Sequence, residues 1–91
     1  MFNKLKQFKD LRSQAKTLQG VLAEESVTVE RNGVKIIMNG NLEVTTMIVN
    51  DKLPKANLEN ILKDLFNDAV KKTQKIMARK MQEMGGFPGL S

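Results

Sequence analysis

Residues 26–49 read SVTVERNGVKIIMNGNLEVTTMIV, and the fold class is decided there. Val27 and Val29 alternate with Thr28 and Glu30, a period of two that lines one face of a strand with β-branched side chains. Asn32-Gly33 then breaks the run, and both residues suit a type I′ turn, whose two central positions each need positive φ. Pairing across that turn opposes Val29 with Ile36 and Val27 with Met38, so the apolar face continues from one strand to the next.

The second turn, Asn39-Gly40-Asn41, admits two readings. A two-residue loop at Asn39-Gly40 sets Ile36 opposite Glu43, whereas a three-residue loop sets Ile36 opposite Val44, Val34 opposite Thr46 and Met38 opposite Leu42. The three-residue loop is preferred because it gathers Val27, Val29, Val34, Ile36, Met38, Leu42, Val44 and Ile48 on one face. The opposite face keeps Ile37, Met47 and Val49 among Lys35, Glu43 and Thr45, apolar surface that a second copy of the chain would cover by face or by edge.

On either side of this meander the period becomes helical. Upstream, Leu5, Phe8, Leu11, Ala15, Leu18 and Leu22 recur at steps of three and four, predicting a helix over about 2–24. Downstream, Pro54 ends the strand pattern and Asn57 is read as a helix cap. Leu58, Ile61, Leu62, Leu65, Phe66, Ala69 and Val70 then form a wide apolar face for the sheet. Past Val70 this face narrows to Thr73, Ile76, Met77, Met81 and Met84, so the helix is expected to project beyond the core, its methionines filling a core or a dimer contact. Gly85-Gly86 stops it, which divides the chain into one domain over 1–84 and a flexible Gly/Pro-containing tail over 85–91. The fold class is therefore α+β: an α-β-β-β-α protomer, a three-stranded antiparallel meander flanked by two amphipathic helices, expected to be dimeric.

Charge follows this architecture. Residues 1–19 carry Lys4, Lys6, Lys9, Arg12 and Lys16 against Asp10, a balance of +4. Residues 66–84 carry Lys71, Lys72, Lys75, Arg79 and Lys80 against Asp68 and Glu83, a balance of +3, and the middle of the chain sums to −2. Two basic helices call for a partner with dense fixed negative charge, and a nucleic-acid backbone is the commonest one. Without Tyr or Trp, and with no aromatic residue among basic ones in the strands, stacking on single-stranded bases is poorly served. Duplex DNA bound through its phosphates fits better, with few groups available to read bases.

Several function classes drop out. The chain has neither Cys nor His, which removes disulfides, thiolate metal sites, His-based acid/base chemistry and most transition-metal centres. The carboxylate pairs Glu24 with Glu25 and Asp64 with Asp68 have no His, Cys or Tyr beside them to work with in catalysis; Asp64 and Asp68 are better read as partners of Lys71, Lys72 or neighbouring lysines on the same helix. No enzymatic activity, cofactor, metal or small-molecule substrate is expected, and no apolar run approaches the roughly 20 residues of a membrane span.

The stretch Gly33-Val34-Lys35-Ile36-Ile37-Met38-Asn39-Gly40, then Phe66-Asn67-Asp68-Ala69 followed by Lys71 and Lys72, and a Met-rich helix end running into Gly85-Gly86-Phe87-Pro88-Gly89, resembles the YbaB/EbfC family of bacterial nucleoid-associated proteins. The start Met1-Phe2-Asn3-Lys4, leading into a Lys/Gln-rich helix, agrees. The resemblance implies a homodimer whose helices project like tweezer arms, a cytoplasmic, nucleoid location, and weakly specific binding of double-stranded DNA that organises the nucleoid or modulates expression. Carried over to this sequence, it places DNA contact on Lys4, Lys6, Lys9, Arg12 and Lys16 of the first helix and Lys71, Lys72, Lys75, Arg79 and Lys80 of the second. The competing reading is a protein-interaction or chaperone-like helical module resembling prefoldin.

Overall fold

In the computed structural model, backbone is described for residues 2–84 and side chains for residues 12–84. The order is α1 (Phe2–Ala23), β1 (Ser26–Arg31), β2 (Val34–Asn39), β3 (Val44–Ile48) and α2 (Lys55–Glu83), the α-β-β-β-α arrangement that the periodicity predicts. The expected tail over 85–91 lies outside the described residues, as do the side chains of Leu5, Phe8 and Leu11.

The first hairpin forms as read. Asn32 and Gly33 both take positive φ, 54° and 81°, and the ladder pairs Val29 with Ile36 and Val27 with Met38. Asn50 braces this end of the sheet by donating its amide N–H to the Asn32 carbonyl at 3.0 Å. β2 lies between its neighbours, and its Val34, Ile36 and Met38 are wholly buried. α2 covers β1 and β2, laying Ile61, Leu65, Ala69 and Thr73 at four-residue steps along them. Burying each of the larger aliphatic side chains in that seam contributes about 1.5–3 kcal/mol relative to exposure.

The second turn departs from expectation. The loop does hold three residues, but they are 40–42 and not 39–41: Asn39 N–H donates to the Glu43 carbonyl, and Met38 faces Val44. The Asn39 side chain selects this version, since its Oδ1 accepts from the backbone N–H of both Asn41 and Glu43. Leu42, expected opposite Met38, instead sits in the turn with φ 65°, at the left-handed position of a three-residue loop where Gly is the usual occupant. A bulge at Thr45, whose hydroxyl donates to the Ile37 carbonyl at 3.3 Å, then shifts the register so that Thr46 faces Ile37, Met47 faces Ile36 and Ile48 faces Lys35.

Because the bulge exchanges the faces, Met47 joins Val44 on the α2 side while Ile48 moves to the open side, the reverse of the assignment from simple alternation. α2 packs over the other two strands, and every residue of β3 is exposed.

The loop is displaced toward α1, and that contact explains Gly40. Its N–H donates to the Leu22 carbonyl at 2.8 Å, and the Asn41 side-chain amide donates to the Gln19 carbonyl at 3.0 Å. The β2–β3 loop thus adds donors to two carbonyls near the end of α1, of which that of Leu22 also accepts from the Glu25 N–H at 3.1 Å. A Cβ on Gly40 would lie 2.5 Å from the Leu22 carbonyl oxygen, and this close approach is what position 40 requires of its residue. Gly40→Ala is expected to cost about 1–3 kcal/mol, the usual range for overpacking a close contact, read as a lower urea midpoint at unchanged slope.

Three further readings are corrected. Asn57 lies inside α2, which begins at Lys55 with Pro54 itself in the cap position and no side-chain cap hydrogen bond. Phe66 is exposed at 44%, although Leu62 and Val70, one turn to either side of it, pack partly against the core. On α1, Leu18 and Leu22 are buried as expected, but Ala15 is exposed and Gln14 is the residue turned inward.

The molecule measures 62 × 19 × 18 Å. Its length comes from the helices: 29 residues of α2 run about 43 Å at 1.5 Å per residue, about twice the length of a six-residue strand. The end of α2 therefore passes beyond the sheet and meets α1.

Candidate nucleic-acid interface

The overhanging part of α2 sorts its cations onto two faces. Lys71, Lys75 and Arg79 follow one another at four-residue steps with Lys72 beside them, all exposed and turned away from the Ala69–Thr73 seam. Lys71, Lys75 and Arg79 form no ion pair among the described residues. Lys72 meets Asp68 at 3.1 Å, as the i, i+4 spacing predicts, with both side chains about half exposed. Such a pair is worth a few tenths of a kcal/mol in water and yields readily to a phosphate. Asp64 looks elsewhere: its carboxylate holds Arg31 at 3.1 Å across the helix–sheet junction.

On α1, Arg12 and Lys16 are exposed one turn apart, on the side away from buried Leu18 and Leu22. Lys4, Lys6 and Lys9 belong to the same helix, but their side chains lie outside the described residues.

Lys80 differs from the other predicted contacts. Seven residues after Thr73, it falls on the inner side of α2, where its ammonium lies 3.1 Å from Glu25 and 3.3 Å from Glu83. The hydrogen bond to Glu25, then that to Glu83, keeps the ammonium protonated above the ordinary lysine value of 10.5. The i, i+3 spacing makes Glu83 legible from sequence; Glu25 comes from the other end of the fold, and no local pattern announces it.

A sequence profile of the YbaB/EbfC DNA-binding family matches residues 1–87. The chain belongs to the YbaB/EbfC family. Among its relatives, a nucleoid-associated protein of Persephonella marina is 34% identical over 73 residues, covering 74% of this chain and 66% of that protein. One from Mycoplasmopsis pulmonis is 32% identical over 72 residues, covering 75% and 72%. Another from Syntrophobacter fumaroxidans is 30% identical over 98 aligned positions, covering 98% and 89%. YbaB/EbfC is a DNA-binding family. Among the described residues no helix is long and apolar enough to cross a membrane.

Proposed function

We propose that this YbaB/EbfC protein is a nucleoid-associated homodimer that grips double-stranded DNA through its helices with little sequence preference, helping to organise the nucleoid and modulate expression in the cytoplasm. The supporting observation is the row Lys71, Lys72, Lys75 and Arg79, exposed on a rigid helix that overhangs the sheet. Arg12 and Lys16 extend the cationic surface, and we assign Lys4, Lys6 and Lys9 of the same helix to the same contact. These side chains neutralise phosphates and release counterions, which supplies affinity without reading bases.

Dimerisation is the second part of the proposal. β3 is an edge strand with Val44 and Met47 exposed on one face and Ile48 on the other, and Leu42, Val49 and Phe66 add further exposed apolar surface. A free edge with apolar side chains on both faces is an unsatisfied pairing surface, and a second copy is the partner we assign to it. Two basic arms held on one particle then act with an affinity well above that of either alone.

The test is a salt titration of binding to several unrelated duplexes, with duplex RNA as a competitor. Similar affinities across sequences are expected, falling by about 10³-fold between about 50 and 200 mM salt if the dimer contacts about six phosphates. Suppression of client aggregation with no duplex shift would favour the prefoldin-like alternative instead.

A further inference from the structure

Lys80 stands apart from the other basic residues of α2, and the difference has a physical consequence. Its side chain is only 24% exposed, as is 27% of Glu25, whereas Lys72 and Asp68 on the outer surface are exposed by about half. α1 carries no basic residue in its last turn and is followed directly by Glu24 and Glu25, so negative charge accumulates at the end of the helix where the backbone dipole is already negative. Lys80 is the cation that meets this charge, reaching it from the opposite helix. Around the same junction, α1 is held by the buried side chains Leu18 and Leu22 and by the two hydrogen bonds from Gly40 and Asn41. Leu22 and Glu25 mark the place where the orientation of α1 is set.

We propose that Lys80 is a positioning residue and not a phosphate contact: clasped between Glu25 and Glu83, it fixes α1 against α2 and so sets the spacing of the two basic helix faces that share one duplex. The duplex part of this statement rests on the function proposed above. A lysine serving phosphates would be expected on the outer row with Lys71, Lys75 and Arg79; Lys80 faces the other way and is already supplied with two carboxylates. Opening the clasp would free one ammonium but release the arm that carries Arg12 and Lys16. A looser arm lowers the effective concentration of its cations at the duplex.

Two substitutions with identical effects on charge separate the roles. Glu25→Gln and Glu83→Gln each raise the net charge by one, but only Glu25→Gln cuts the link from α2 to the connection that leaves the end of α1, since Lys80 and Glu83 share α2. Simple attraction to phosphate makes both bind duplex more tightly. The clasp predicts that Glu83→Gln binds as well as the parent or slightly better, whereas Glu25→Gln binds about five- to tenfold more weakly. Lys80→Gln should match Glu25→Gln, and the double variant should be no worse than either, the non-additivity of two residues acting as one unit. Equal affinities for Glu25→Gln and Glu83→Gln, or a tighter Glu25→Gln, would overturn the proposal.

A second readout needs no DNA. Amide hydrogen exchange over residues 12–23 of the full-length protein should be faster in Glu25→Gln than in Glu83→Gln. Equal exchange in the two would show that α1 is held without Lys80 and would refute the clasp. Failure of the parent protein to bind any duplex would overturn the functional reading alone, because the exchange comparison judges the clasp independently.

Discussion

Replacing Lys72, Lys75 and Arg79 with glutamate should abolish duplex binding and leave the protein folded. The three side chains sit exposed on the outer surface of α2, where substitutions ordinarily change stability by no more than about 0.5 kcal/mol. A carboxylate at position 72 would face Asp68 one turn away and add a few tenths of a kcal/mol of repulsion, too little to unfold a domain whose core lies elsewhere. Binding has no such reserve. In a dimer the variant removes about six phosphate contacts and replaces each with repulsion, so affinity should fall by at least about 100-fold and the log–log salt slope should flatten by about five. Gel shift with a salt series measures both, and circular dichroism checks the fold. Unchanged affinity would remove α2 from the binding surface.

The second large effect is expected at β3. Met47→Glu combined with Ile48→Lys leaves the net charge unchanged and places opposite charges on the two faces of the edge strand. Both side chains are 49% exposed in the single chain, so its own core is spared. A dimer interface would not be, since charges buried there without partners cost several kcal/mol. Sedimentation should report one chain of 10.2 kDa in place of two. Duplex affinity should fall by about 10²–10⁴-fold with every basic residue intact, the loss that follows when two arms no longer act together. A parent protein already sedimenting as a single chain at micromolar concentration would rule out the dimer and leave β3 without its assigned partner.

Legibility from sequence tracked the range of each interaction. Asn32-Gly33 specifies its turn through the φ values those two residues accept, and the β1–β2 register follows from it. Asp68 finds Lys72 because both lie on one helix four residues apart. At Asn39–Glu43 local reading fell short: the loop length was correct, yet the Asn39 side chain and the contact of Gly40 with α1 moved the loop by one residue. The bulge at Thr45 then exchanged the faces of Met47 and Ile48, an event that strict alternation cannot register.

The candidate interface divides in the same way. Helical spacing alone places Lys71, Lys72, Lys75 and Arg79 together, since 3.6 residues per turn leaves no other arrangement once the apolar seam is known. Charge alone grouped Lys80 with them; its place two turns after Thr73 puts it on the inner side of α2, and its approach to Glu25 beyond the end of α1 is what only the tertiary structure shows.

By itself, then, the amino-acid order determined the α+β class, the first hairpin, the two helices and the excess of positive charge at both ends, all consequences of backbone geometry acting over a few residues. Tertiary structure decided which face of β3 each side chain takes, why position 40 has room only for glycine, and which lysine is tied down. Those outcomes depend on distances between segments far apart along the chain, and no local periodicity encodes them.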